Sequence, residues 1–165
     1  MNGTTLRILS ITLVFLLACA PSHSMERRGR LGVGFSNQFV TQIPALSFKI
    51  QRSRSFSFGG MLGMNTDSED GGFGAGLKLY RILFDEPQLN FYSSILGAYI
   101  KDSNGNRDSR SGFQFDVTLG TEFSFVGLQS LGFSLDFGLS MHKLDEFVIE
   151  TTTSGLVVAA VHFYL

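Results

Sequence analysis

Between Gly112 and Phe125 the chain alternates two kinds of residue almost without error. Phe113, Phe115, Val117, Leu119, Phe123 and Phe125 fall on one side, and Gln114, Asp116, Thr118, Gly120, Glu122 and Ser124 fall on the other. Successive side chains of a strand point to opposite faces, so this segment predicts a long β-strand with one apolar face. The same period recurs in most other segments, which predicts a barrel whose apolar side meets lipid.

A length of 165 residues allows one domain. Seventeen Phe, nineteen Gly, three Pro and no Trp favour strands and close backbone approach, and point to an all-β fold. A formal charge of -1 and a pI near 6.3 leave no dense cationic face for phosphates, so no nucleic acid partner is expected. No cofactor is expected either.

The first 24 residues read as a signal peptide: Arg7 precedes a largely apolar run from Ile8 to Ala20, interrupted only by Ser10 and Thr12 and too short to span a bilayer comfortably. Small residues at the required spacing put the mature start between His23 and Met25. The single cysteine, Cys19, ends Leu16-Leu17-Ala18-Cys19, which resembles the bacterial lipoprotein box and makes Cys19 a candidate for lipidation. The barrel domain is then residues 25–165 and contains no disulfide.

After Met25 no apolar run approaches the roughly 18 to 20 residues a membrane helix needs, so a membrane reading has to use strands. Period-2 segments start with Leu31, Val33 and Phe35, then Leu46, Phe48 and Ile50, then Ser55 to Met64, then Phe73, Ala75, Leu77 and Leu79 against a face rich in glycine. A fifth runs from Leu89 to Ile100 with its faces mixed, the sixth is the opening segment, the seventh runs from Leu131 to His142 and the eighth from Leu156 to Leu165. The connections alternate in length: Asn37 to Pro44, Asn65 to Gly71, Lys101 to Ser111 and Lys143 to Ser154 read as long, and Arg52 to Arg54, Phe84 to Gln88 and Val126 to Ser130 as short. That asymmetry fits an outer-membrane barrel with both termini at the periplasmic side.

Alternation alone also fits a soluble barrel with the opposite polarity, and volume decides between them. Eight strands leave an interior just wide enough for side chains, and most of the seventeen Phe plus many Leu cannot be packed there at normal density. Gly, Ser, Thr and a few charges can.

At the carboxyl end Val161, Phe163 and Leu165 alternate with Ala160, His162 and Tyr164, which resembles the terminal-strand signal read by the barrel-assembly machinery. In architecture, residues 25 to 165 resemble the small eight-stranded outer-membrane barrels, the group of the OmpA membrane domain, OmpX and the opacity-type proteins. The resemblance implies an all-β, eight-stranded antiparallel up-and-down barrel in the outer membrane of a Gram-negative bacterium, in contact with outer-membrane lipid and lipopolysaccharide. It carries over no functional residues.

On the polar face Lys49, Lys78, Asp116, Glu122 and Asp136 bring both signs of charge into a narrow interior. They are expected to pair in a network that plugs the lumen, with Tyr80 and Tyr92 as neighbours. Ser140 and His142 share a face, and Asp136, Glu146 or Glu150 are candidate orienting acids, which invites comparison with outer-membrane lipid A deacylases and acyltransferases. The loops from Asn65 to Gly71 and from Asp102 to Asn106 carry oxygen ligands at alternate positions, but both lack the full calcium loop. Tyr99, Phe84, Phe91, Phe125 and Phe163 are expected in interfacial girdles, and Arg52, Arg54 and Arg81 as interfacial anchors. The expectation is a non-enzymatic envelope-structural or surface-interaction protein. A lipid A-modifying enzyme using Ser140 and His142 is the first alternative, and a periplasmic ligand-binding barrel anchored at Cys19 the second.

Overall fold

The computed structural model describes residues 27–67, 70–104, 109–151 and 157–165. The expected signal peptide and Cys19 lie outside them. The described residues contain no helix, and their strands form one antiparallel sheet: β1 (Leu31–Ser36), β2 (Ala45–Gln51), β3 (Phe56–Asn65), β4 (Asp70–Glu86), β5 (Leu89–Asn104), β6 (Arg110–Phe123), β7 (Leu131–Lys143), β8 (Phe147–Thr151) and β9 (Val158–Tyr164). Consecutive strands pair from β1 to β7, and β9 pairs with both β7 and β1, so the sheet closes on itself. β9 lies against one half of β7 (Leu131 to Asp136) and β8 against the other (Leu139 to Lys143). Together they form the eighth position of an eight-stranded barrel. Closure removes the open sheet edges that an eight-stranded antiparallel ribbon exposes to other chains.

Arg27, Leu165 and the turns 52–55, 87–88 and 124–130 lie at one end, here the near rim; the opposite ends of the strands make the far rim. Exposure gives the direction of the alternation: Phe113 is 70% exposed and its neighbour Gln114 only 1%. The apolar faces point out and the polar faces in. The mixed fifth segment, now β5, is resolved the same way, since Asn90, Tyr92, Ser94, Leu96, Ala98 and Ile100 are all buried inside. Its inner face mixes chemistry because the interior does: it is polar toward the near rim and apolar toward the far rim.

The apolar half is built around a loop. Residues 37–44 turn inward from β1, and Gln38, Phe39 and Ile43 are 1%, 0% and 4% exposed. Phe39 packs with Ala45, Met61, Leu96, Ala98 and Ile100. A Cβ at Gly74 would lie 2.8 Å from the Phe39 ring, so the bare backbone there makes the room for it. Gln42, with φ of 57°, returns the loop to β2, its N–H donating to the Phe39 carbonyl at 2.9 Å.

Three boundaries differ from the sequence reading. β8 occupies part of Lys143 to Ser154, which reads as loop because Phe147-Val148-Ile149-Glu150 does not alternate in polarity. The last strand starts at Val158. The expected alternation of long and short connections is not found: pairing continues into the loop segments, so that four residues, 66–69, join β3 to β4 at the far rim while seven, 124–130, join β6 to β7 at the near rim. Backbone pairing at the ends of long hairpins tolerates Gly, Asp and Asn that read as loop formers.

Candidate functional site

The inward side chains form a contiguous polar network. Glu122 on β6 is its hub close to the near rim. Its carboxylate is 1% exposed and accepts from Arg27, from Lys49 on β2, and from the Tyr164 hydroxyl at 2.6 Å. Arg27 also donates to Ser124 and lies 4.1 Å over the Tyr164 ring. Gly132, inside β7 beside this hub, allows the crowding: a Cβ there would sit 2.5 Å from Glu122 Oε1.

Further in, Lys78 on β4 donates to Asp136 Oδ2 on β7 and to Gln38 Oε1, both at 2.7 Å. Lys49 sits over the rings of Tyr80 and Tyr92, at 4.4 and 4.8 Å, and those rings meet edge to face. Cation and ring thereby compensate part of the lost hydration. Asp116 makes no ion pair among the described residues. It accepts from Gln38 at 2.9 Å, from Gln114 at 2.9 Å and from the Ser140 hydroxyl at 2.7 Å. Hydrogen bonds from neutral donors stabilise a buried carboxylate that makes no direct ion pair.

Of the residues singled out in the sequence, Lys49 meets Glu122 and Lys78 meets Asp136. Ser140 and His142 are not brought together: Ser140 is 0% exposed and donates to Asp116, while His142 Nδ1 is 3.7 Å from Glu150 Oε1. Val161 and Phe163 face outward on β9, opposite Phe35 and Val33 of β1, and the Leu165 N–H donates to the Leu31 carbonyl at 2.9 Å. The loops with alternating oxygen ligands fall partly outside the described residues. Among the described residues no group of three or more His, Cys, Asp or Glu side chains could hold a metal ion, and Asp102 is paired with Arg110 at 3.1 Å. Of the aromatic girdle, Tyr99 meets Phe113 near the far rim and Phe84 meets Phe91 near the other, with centroids 5.7 and 6.2 Å apart.

Sequence reasoning missed Arg27 and Gln38, two network members that lie outside strands. Periodicity identifies only strand residues. The signal that remains is polarity out of place: Gln38 is followed by Phe39-Val40, and a loop that carries such a pair has an apolar residue to bury.

Replacing Lys78 by Met is expected to lower the stability of the barrel by about 2 to 3 kcal/mol, because Asp136 and Gln38 both lose their charged donor inside the wall. Urea unfolding in lipid vesicles, together with the temperature at which SDS gel mobility changes, measures it. An unchanged transition would remove the network from the list of stabilising features.

No protein-family model matches the sequence, and no curated protein matches it. The structure is similar to the crystal structure of the N-terminal β-barrel domain of Pseudomonas aeruginosa OprF, with a TM-score of 0.62 at 14% sequence identity, over 84% of this chain and 98% of that one. That likeness establishes the fold, a closed eight-stranded antiparallel barrel.

Proposed function

We propose that this chain is an outer-membrane protein of a Gram-negative bacterium, with its near rim in the periplasm and an envelope-structural or surface-interaction role. The observation that carries the reading is the inverted polarity of the barrel. Outward-facing Leu77, Met64, Phe113 and Phe137 are 73%, 73%, 70% and 50% exposed, while Lys49, Lys78, Glu122 and Asp136 are 6%, 3%, 1% and 1% exposed. A continuous apolar belt of this kind is costly in water and favourable in hydrocarbon, where a closed barrel satisfies every strand hydrogen bond internally. The terminal strand with Val161, Phe163 and Leu165 supports recognition by the barrel-assembly machinery, and the belt supports contact with outer-membrane lipid and lipopolysaccharide.

The interior supports a plugged lumen. Lys49 and Lys78 are bonded to Glu122 and Asp136, neutral donors hold Asp116, and the Phe39 loop fills the far half, so the barrel is expected to give no steady conductance in planar bilayers. A reproducible open level would overturn that part of the reading. Membrane fractionation with heat-modifiable gel mobility, and surface labelling of an Asn104→Cys variant, test the placement. A soluble fraction with no labelling of intact cells would favour the lipid-anchored periplasmic alternative. The lipid A-modifying alternative has no support from geometry, since the Ser140 hydroxyl is committed to Asp116. Lipid A should have the same mass spectrum with and without the gene.

A further inference from the structure

We propose that the near rim carries a binding site for the phosphate of an acidic phospholipid, formed by Arg52, Arg54 and Arg81, an inference that rests on the outer-membrane reading. Arg81 is exposed on the outer wall of β4, between Leu79 and Leu83, which are 49% and 45% exposed, and its register partners are Phe56 and Ser93. The β2–β3 turn lies directly beside it. The Ile82 N–H donates to the Ser55 carbonyl at 2.9 Å, and the Arg52 and Ser53 N–H groups both donate to the Phe56 carbonyl at 3.1 Å, so the turn bearing Arg52 and Arg54 is held against the strand bearing Arg81.

Several of the other cations are engaged, whereas Lys101 and Lys143, exposed toward the far rim, also make no ion pair among the described residues. Arg27 meets Glu122, Arg30 donates to Ser130 and the Tyr164 carbonyl, and Arg110 at the far rim pairs with Asp102 and Asp145. Among the described residues Arg52, Arg54 and Arg81 have no ion pair. The acids on this side, Asp85 and Glu86, lie toward the tip of the β4–β5 hairpin, about 13 and 17 Å along the strand from Arg81 at roughly 3.3 Å per residue. Three unmatched guanidinium groups therefore border an apolar wall made by Phe56, Phe58 and Leu79. Guanidinium forks bind phosphate oxygens two at a time, and the wall beside them accepts acyl chains. A free anion would use only the first half of this surface. The occupant that uses both is an inner-leaflet phospholipid with a net negative headgroup.

The test uses the full barrel in nanodiscs of phosphatidylcholine with and without one-tenth phosphatidylglycerol, followed by native mass spectrometry of the lipids that stay bound. Phosphatidylglycerol is expected to be retained in preference to phosphatidylcholine. Substituting all three arginines by Gln should reduce that preference about tenfold, while substituting all three by Lys should keep most of it. Equal retention of the two lipids by the wild-type barrel overturns the site, and that comparison needs no variant. So does an unchanged preference in the Gln variant, whose folding is checked by gel mobility. Inorganic phosphate at matched concentration should not displace the lipid; displacement would overturn the acyl component. Co-sedimentation of the barrel with purified peptidoglycan that is lost in the Gln variant, without any lipid preference, would assign the arginines to the cell-wall polymer instead. A barrel that fails to insert into phosphatidylcholine at all refutes the membrane reading, which separates that failure from this one.

Discussion

Glu122→Gln is expected to destabilise the barrel by about 3 to 5 kcal/mol and to abolish its resistance to SDS at temperatures the wild type withstands. Gln keeps the shape of the side chain and removes its charge. Arg27 and Lys49, with side chains 2% and 7% exposed, then remain in the wall without their counter-ion, and the Tyr164 hydroxyl loses a charged acceptor. An uncompensated buried charge costs more than a lost hydrogen bond, because water cannot replace the partner. Adding Lys49→Met should recover part of the loss, since it removes one of the two stranded cations. The pair of variants makes a double-mutant cycle, read by urea unfolding in vesicles with circular dichroism. Additive effects would mean that Lys49 and Glu122 act independently despite their contact.

The second large effect is expected at a residue outside the strands. Phe39→Ala should lower stability by about 3 to 5 kcal/mol, the range for removing a fully buried aromatic side chain. It should also release the loop 37–44. Gln38, one residue before it, donates to Asp116 and accepts from Lys78, and its carbonyl accepts from Gln114 at 2.9 Å, so freeing the ring unseats three members of the polar network at once. Hydrogen exchange distinguishes this from simple loss of packing: backbone amides of 37–44 should exchange far faster, with little change in the strand amides near Glu122. Gly74→Ala reaches the same loop from the opposite wall, because its Cβ would press on the ring rather than remove it. Protection of residues 37–44 that survives both changes would mean that Phe39 does not hold the loop.

Much of this was legible in the sequence wherever one strand face is uniform. The segment around Phe113 to Phe125 declares both its periodicity and, through the volume of its aromatic rings, its direction. Lys49, Lys78, Glu122 and Asp136 could be assigned to the interior from alternation, but who pairs with whom follows from stagger between distant strands, which no local pattern encodes. Asp116 illustrates the difference. It makes no direct ion pair: Gln38, itself bonded by Lys78, and Ser140 donate to it instead. Ser140 and His142 share a face of β7, yet sharing a face fixes only direction: one side chain is turned to β6 and the other approaches β8. β5 was ambiguous because its inner face crosses from a polar to an apolar half of the interior, a change set by the inward loop and invisible from β5 itself.

The contacts of Glu122 also bear on the order in which the barrel is made. Its three donors come from before β1, from β2 and from the end of β9, with sequence separations of 95, 73 and 42 residues. Until the last strand docks, Tyr164 is absent and the mouth where Arg27 enters is open to water. A partly assembled chain thus keeps its charges hydrated and can come apart again at small cost. Joining β9 to β1 seals them from solvent together. Closure of β9 on β1 is therefore expected to be the step that makes assembly hard to reverse, with Arg27 and Tyr164 as its catch.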